Sequence, residues 1–154
     1  MSFSRKAVLA LTGIAALAMP LAVAGSASAS TFARCTVTPL KPVFDHVNSS
    51  GEKVIKYETK VTCSAGRSIE ILDERRDHDN LSTDDFEGSN TYNLRFDRAE
   101  TVTKYVLAVL PDADGWGDNN EEMYHSVGFQ VTEDNGYVSQ WTNWEDSAIV
   151  TFHL

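Results

Sequence analysis

Apolar and polar residues alternate with a period of two over most of the chain beyond residue 30. The clearest example is the segment 53–64, in which one face carries Ile55, Tyr57, Thr59, Val61 and Cys63. Successive side chains of a β-strand point to opposite faces, so this period is typical of half-buried strands. Helical periodicity is almost absent. We therefore expect an all-β domain.

Turn residues divide the alternating pattern into seven or eight short predicted strands. They cover residues 34–38, 53–64, 68–72, 91–96, 101–110, 123–131, 137–142 and 147–154. The run 106–110 is apolar throughout and predicts a central strand buried on both faces. Residues 73–88 are rich in charge and predict a long loop, whereas Asn135-Gly136 favours a tight hairpin turn.

This pattern predicts a two-sheet antiparallel sandwich that resembles the immunoglobulin type in architecture. In the immunoglobulin family the two cysteines lie farther apart and enclose a core tryptophan, and no tryptophan lies between Cys35 and Cys63. A small barrel or a jelly roll therefore stays an alternative.

The first 29 residues have the features of a cleavable signal peptide. Arg5 and Lys6 precede the apolar run 7–24, and Ala27 and Ala29 form the small-x-small pattern that predicts cleavage before Ser30. We expect a secreted single domain over residues 30–154, with no membrane span after cleavage. The alanine-rich signal resembles those of high-GC Gram-positive bacteria.

Cleavage would make the domain more acidic than the full chain. The mature chain would keep eleven of the thirteen basic residues and all twenty-two acidic ones, for a formal net charge of −11. Such a charge repels phosphate backbones and anionic lipid headgroups, so nucleic acids and membranes are disfavoured as partners.

Cys35 and Cys63 are the two cysteines of the chain. In an oxidising compartment a lone pair of cysteines without CxxC spacing predicts a structural disulfide. It would join the first strand either to its neighbour or across the sandwich.

The acidic segment 111–122 resembles the start of a calcium-binding loop. Its candidate ligands are Asp112, Asp114, Asp118 and Glu121. Calcium prefers hard oxygen ligands gathered in a compact turn, but here glycine directly follows Asp114 and Trp116 occupies a ligand position. A glycine-rich turn explains the same residues, so calcium is a possible cofactor only.

Three tryptophans are candidate ligand-binding residues: Trp116, Trp141 and Trp144. Exposed tryptophan faces stack on sugar rings or anchor protein partners, although Trp141 falls in a predicted strand and a core position would explain it equally well. His78, between two aspartates, is a candidate metal ligand or base, with a solvated loop as the alternative.

The sequence carries none of the common catalytic motifs, and we expect a protein that is not an enzyme. The leading hypothesis is a small secreted interaction domain that binds an extracellular protein or a cell-envelope partner through its loops. The alternatives are a carbohydrate- or envelope-polymer-binding module stabilised by calcium, and a secreted enzyme inhibitor that inserts a loop into its target.

Overall fold

The computed structural model describes residues 29–79, 83–111 and 120–153. These residues form ten β-strands and no helix, so the predicted all-β class is confirmed. The strands are β1 Ser30–Phe32, β2 Cys35–Pro39, β3 Val43–Val47, β4 Lys53–Cys63, β5 Arg67–Asp77, β6 Asp85–Phe96, β7 Glu100–Val109, β8 Asn120–Glu133, β9 Glu145–Asp146 and β10 Val150–His153. The count differs from the seven or eight predicted strands partly because β1 and β9 have only three and two residues. Within these ranges no helix is long and apolar enough to span a bilayer.

The first sheet is built around β4, which pairs antiparallel with β7 along one side. Its other side pairs with β2 and then β3, and β1 lies outside β2. The break between β2 and β3 contains Pro42, which has no N–H to donate to a ladder. The Leu40 N–H still donates to the Glu58 carbonyl at 2.8 Å, which keeps the interrupted edge attached to β4.

The second sheet is also antiparallel and has β5 between β6 and β8. The outer edge of β8 pairs with β10 near one end and with β9 near its middle. Buried side chains from both sheets form one cluster, which includes Val37 and Val61 from the first sheet and Ile71 and Phe129 from the second. The predicted two-sheet antiparallel arrangement is therefore confirmed.

The disulfide joins Cys35 to Cys63, as predicted. These cysteines are directly opposite each other on β2 and β4, with their Cα atoms 4.2 Å apart. The bridge therefore lies within the first sheet and joins neighbouring strands. Of the two arrangements expected from the sequence, the structure has the first.

The long loop predicted for residues 73–88 was wrong in large part. Strand β5 continues to Asp77, and β6 begins at Asp85. The inward positions of β5 are Asp73, Arg75 and Asp77, and all three are buried. The Arg75 guanidinium donates to Asn90 Oδ1 and lies 6.0 Å from the Tyr57 ring centroid. Because polar partners make this burial possible, hydropathy alone gave no strand signal.

The prediction of a central strand at 106–110 was also wrong. Strand β7 pairs only with β4 among the described residues, and its outward side chains Tyr105, Leu107 and Val109 are exposed. The strand buried on both faces is β8, in which residues 123–129 are all buried. An unbroken apolar run indicates β structure, but it does not show whether another layer covers both faces.

Candidate functional site

Residues 137–147 run along the outer edge of β8, and β9 within them pairs with it. Hydroxyl-bearing residues attach the segment to β8 at three further points. At each point a β8 residue and a hydroxyl-bearing residue exchange two hydrogen bonds of 2.9–3.1 Å. The β8 N–H donates to the side-chain hydroxyl, and the β8 carbonyl accepts from the backbone N–H of the same residue. The three pairs are Val131 with Ser139, Phe129 with Thr142, and His125 with Ser147.

These pairs explain why the strand predicted over 137–142 was wrong. In a regular ladder the β8 N–H groups would donate to backbone carbonyls. Here the hydroxyls of Ser139, Thr142 and Ser147 take that place, so strand pairing within 137–142 is limited to an isolated bridge between Thr132 and Val138. The preceding turn matches its prediction, with Gly136 at φ +83° and its N–H donating to the Glu133 carbonyl.

Three large aromatic side chains project from this attached segment. Tyr137 is 59% exposed, and Trp141 and Trp144 are each 47% exposed. The core position considered for Trp141 is therefore wrong. Ser139 and Thr142 flank Trp141 in the chain and are fixed to β8, so its backbone is held on both sides.

Trp141 lines an open groove of about 470 Å³ between this segment and β1. Its aromatic walls are Trp141, Tyr137 and Phe32, and Phe32 is 44% exposed. Its polar lining consists of Ser30, Thr31, Gln140, Thr142, Asn143 and Glu145. We call this the aromatic groove. It combines half-exposed rings with hydrogen-bonding groups, the composition of a ligand site.

Phe32, Gln140 and Asn143 were not among the predicted site residues. Phe32 enters the groove because β1 pairs with β2, and the sequence pattern gave no signal for β1. Gln140 and Asn143 are the immediate neighbours of Trp141 and of Trp144, so closeness to a tryptophan in the chain was the available signal.

Trp144 lines a different cleft, so the structure separates the two tryptophans. Its ring packs over β8, where a methyl group added to Gly128 would lie 3.6 Å from Trp144 Cε3. The cleft has about 220 Å³, and Trp144 shares it with Glu74, Arg76, Tyr124 and Ser126. This cleft opens on the outer face of the second sheet.

The other predicted site residues lie mainly outside the described ranges. Four of them are outside these ranges, as is the predicted signal segment up to residue 28. The four are Asp112, Asp114, Trp116 and Asp118. Glu121 is described, and its fully buried side chain is in β8. Among the described residues, no three histidine, cysteine or acidic side chains form a group that could hold a metal ion. The calcium site therefore stays a prediction.

A polar network of buried side chains joins the two sheets at His125 of β8. His125 Nδ1 lies 2.8 Å from Asp73 Oδ1, and its Nε2 lies 2.7 Å from the Leu40 carbonyl. The Thr59 hydroxyl donates to Asp73 Oδ2 at 2.8 Å. The carbonyl can only accept, so Nε2 carries a proton and donates it to Leu40. A second proton lies between Nδ1 and Asp73 Oδ1 and forms that hydrogen bond. Because the two side chains have no solvent exposure, they cannot contact a substrate.

His78 lies near Asp84, with Nδ1 3.1 Å from Oδ1. The Tyr124 hydroxyl also donates to Asp84, and this hydrogen bond holds the pKa of that carboxyl below its usual value. Burial, together with the same hydrogen bond, raises the pKa of the Tyr124 phenol. The arrangement links the ends of β5 and β8 to the residues preceding β6.

Comparison with known proteins assigns no family. No protein-family model matches the chain, and no curated protein is significantly similar to it in sequence.

Proposed function

We propose that this protein is a small secreted binding domain without catalytic activity, and that it binds its partner at the aromatic groove. One observation carries the proposal: Trp141, Tyr137 and Phe32 line a single groove while each stays about half exposed. Large rings grouped on a surface are typical of interaction sites, because they gain most from being covered by a ligand.

The fixed backbone beneath the groove supports the same proposal. Ser139 and Thr142 attach the segment that carries Trp141 directly to the C-terminal part of β8. A side chain displayed from a rigid base loses less conformational entropy on binding than one on a mobile loop. The groove therefore offers a preformed surface to its binding partner.

Export is supported by the predicted signal and by the disulfide, since disulfides persist mainly in oxidising compartments. Strand β1 begins at Ser30, which is the residue that the predicted cleavage would make the first of the mature chain. If the domain is secreted, the groove beside β1 would be present in the mature protein.

The absence of catalysis is part of the proposal. Its support is that the Asp73–His125 pair, which resembles a base with its orienting carboxylate, is sealed in the core. We also keep the immunoglobulin-like subtype as a proposal, supported by the two packed antiparallel sheets. The disulfide differs from the inter-sheet bridge of antibody domains, because it lies within one sheet.

The experiment compares the wild type with Trp141→Ala and Trp144→Ala. Each immobilised protein is incubated with culture fluid and with envelope preparations of the organism that makes it, and retained material is measured. We expect Trp141→Ala to lose the retained partner and Trp144→Ala to keep it, because Trp144 lies in another cleft. Equal retention by all three folded proteins would refute the aromatic groove as the binding site.

A further inference from the structure

The polar lining of the aromatic groove is almost entirely uncharged. Of its described residues, Ser30, Thr31 and Thr142 carry hydroxyls and Gln140 and Asn143 carry amides. The side-chain amides of Gln140 and Asn143 have no hydrogen-bond partner within the described ranges and offer both donors and acceptors to a ligand.

Charge in the groove is limited. Glu145 is the one acidic side chain among the described lining residues, which include no lysine or arginine. Cleavage before Ser30 would add an α-ammonium group at the same groove, because Ser30 is also a lining residue. One carboxylate and one ammonium group would leave the groove near neutrality, on a mature domain whose net charge would repel anions.

Size distinguishes a small ligand from a folded protein partner. Nine described residues line the groove, whereas a stable protein interface uses roughly 20–30 residues on each side. Its volume of about 470 Å³ falls in the range of small-molecule sites, roughly 300–1,000 Å³. The groove is also open, so a chain longer than the bound portion could continue into solvent.

From these observations we infer that the ligand is an uncharged saccharide, bound as part of a glycan chain. A pyranose ring has an apolar C–H face that would stack on Trp141 or Tyr137. Its hydroxyls would exchange hydrogen bonds with the amides of Gln140 and Asn143. This inference rests on the proposed function, because it identifies the class of ligand that the same groove takes.

The test is calorimetric titration of the mature protein with short neutral oligosaccharides of glucose, mannose and N-acetylglucosamine. An oligogalacturonate of matched length is the anionic control. We expect saturable binding of at least one neutral series and no binding of the anionic one. Trp141→Ala should weaken binding about tenfold or more, as for a central aromatic contact.

Three further variants locate the ligand. Trp144→Ala should leave the affinity within about twofold, Trp141→Phe should restore part of the loss, and Gln140→Ala should weaken binding without changing the melting temperature. No binding of any neutral series, equal binding of the anionic series, or no effect of Trp141→Ala would overturn the inference. If saccharides fail while Trp141 is still needed for retention of a native partner, the proposed function survives without the saccharide assignment.

Discussion

Replacing His125 with leucine would remove the side chain that links Asp73 of β5 to the Leu40 carbonyl, which lies between β2 and β3 of the first sheet. Asp73 would then be a fully buried carboxyl group whose remaining side-chain partner is the Thr59 hydroxyl. Breaking a buried salt bridge by removing one partner costs about 3–5 kcal/mol. Since domains of this size have about 5–15 kcal/mol of stability, the variant would lose a large part of it.

A double-mutant cycle separates this effect from simple loss of packing. Asp73→Leu should also cost about 3–5 kcal/mol, because it leaves the imidazole Nδ1 without its partner. The double variant should be more stable than the sum of the two single losses predicts, by about 2 kcal/mol or more. The reason is that it leaves neither the carboxyl group nor the imidazole in the core without its partner.

The assay is guanidinium unfolding of the oxidised protein, followed by far-UV circular dichroism at pH 7. Unchanged m-values would show that the variants unfold to comparable states. Thr59→Val is a milder companion variant and should cost about 1 kcal/mol, since it removes one hydrogen bond. Additivity of His125→Leu and Asp73→Leu within about 0.5 kcal/mol would refute the coupled network.

Three further predictions concern stability. The disulfide spans a sequence separation of 28 residues. Its reduction should lower the free energy of unfolding by about 3.6 kcal/mol, through the entropy of the unfolded chain, and the melting temperature by about 10–15 °C. A change below about 3 °C in calorimetry would contradict this expectation. Ser139→Ala and Ser147→Ala should each lower the free energy of unfolding in urea by about 1–3 kcal/mol, because each leaves a β8 N–H without an acceptor. The control Ser89→Ala, at an exposed position of β6, should change it by no more than about 0.5 kcal/mol. Equal effects of all three would show that the hydroxyls do not hold the segment to β8. Burial raises the pKa of the Tyr57 phenol, so above about pH 10 the unfolded chain loses that proton first and stability should fall by up to about 1.4 kcal/mol per pH unit. Tyr57→Phe should reduce this alkaline slope, and an unchanged slope between pH 10 and 11 would argue against the buried phenol as its source.

The fold class could be predicted because most inward positions are apolar. The sequence pattern identified β4 almost to its ends, and the cysteine pair was assigned from composition and compartment alone. Prediction failed at Asp73 and Asp77 of β5, where the period of two continues but the inward residues are charged. Asp77 Oδ1 accepts from the Glu122 N–H at 3.0 Å, a partner far away in sequence. Contacts of this kind are invisible to a local hydropathy pattern.

The site could be predicted only in part, for a related reason. Trp141 and Trp144 were identified as candidates from their chemistry, but the sequence could not show that they line separate clefts. Phe32 was missed because its role depends on the pairing of β1 with β2, which brings it near a segment about a hundred residues later. The chemistry of a residue is local information, whereas its neighbours in a β-sandwich are set by strand order.

The hydroxyl attachments also address a general hazard of β-sandwiches, which is that an exposed strand edge can pair with another chain. A regular strand over 137–147 would have covered β8 but would have presented a new edge of its own. Ser139 instead accepts from β8 and donates its hydroxyl proton to the Gln140 carbonyl, and Ser147 does the same with the Ala148 carbonyl. One backbone acceptor within the segment and one directly after it are thus already used. The segment therefore covers β8 and displays Trp141 without offering a continuous ladder to another chain. The proposed binding surface can thus be exposed without promoting strand-to-strand aggregation.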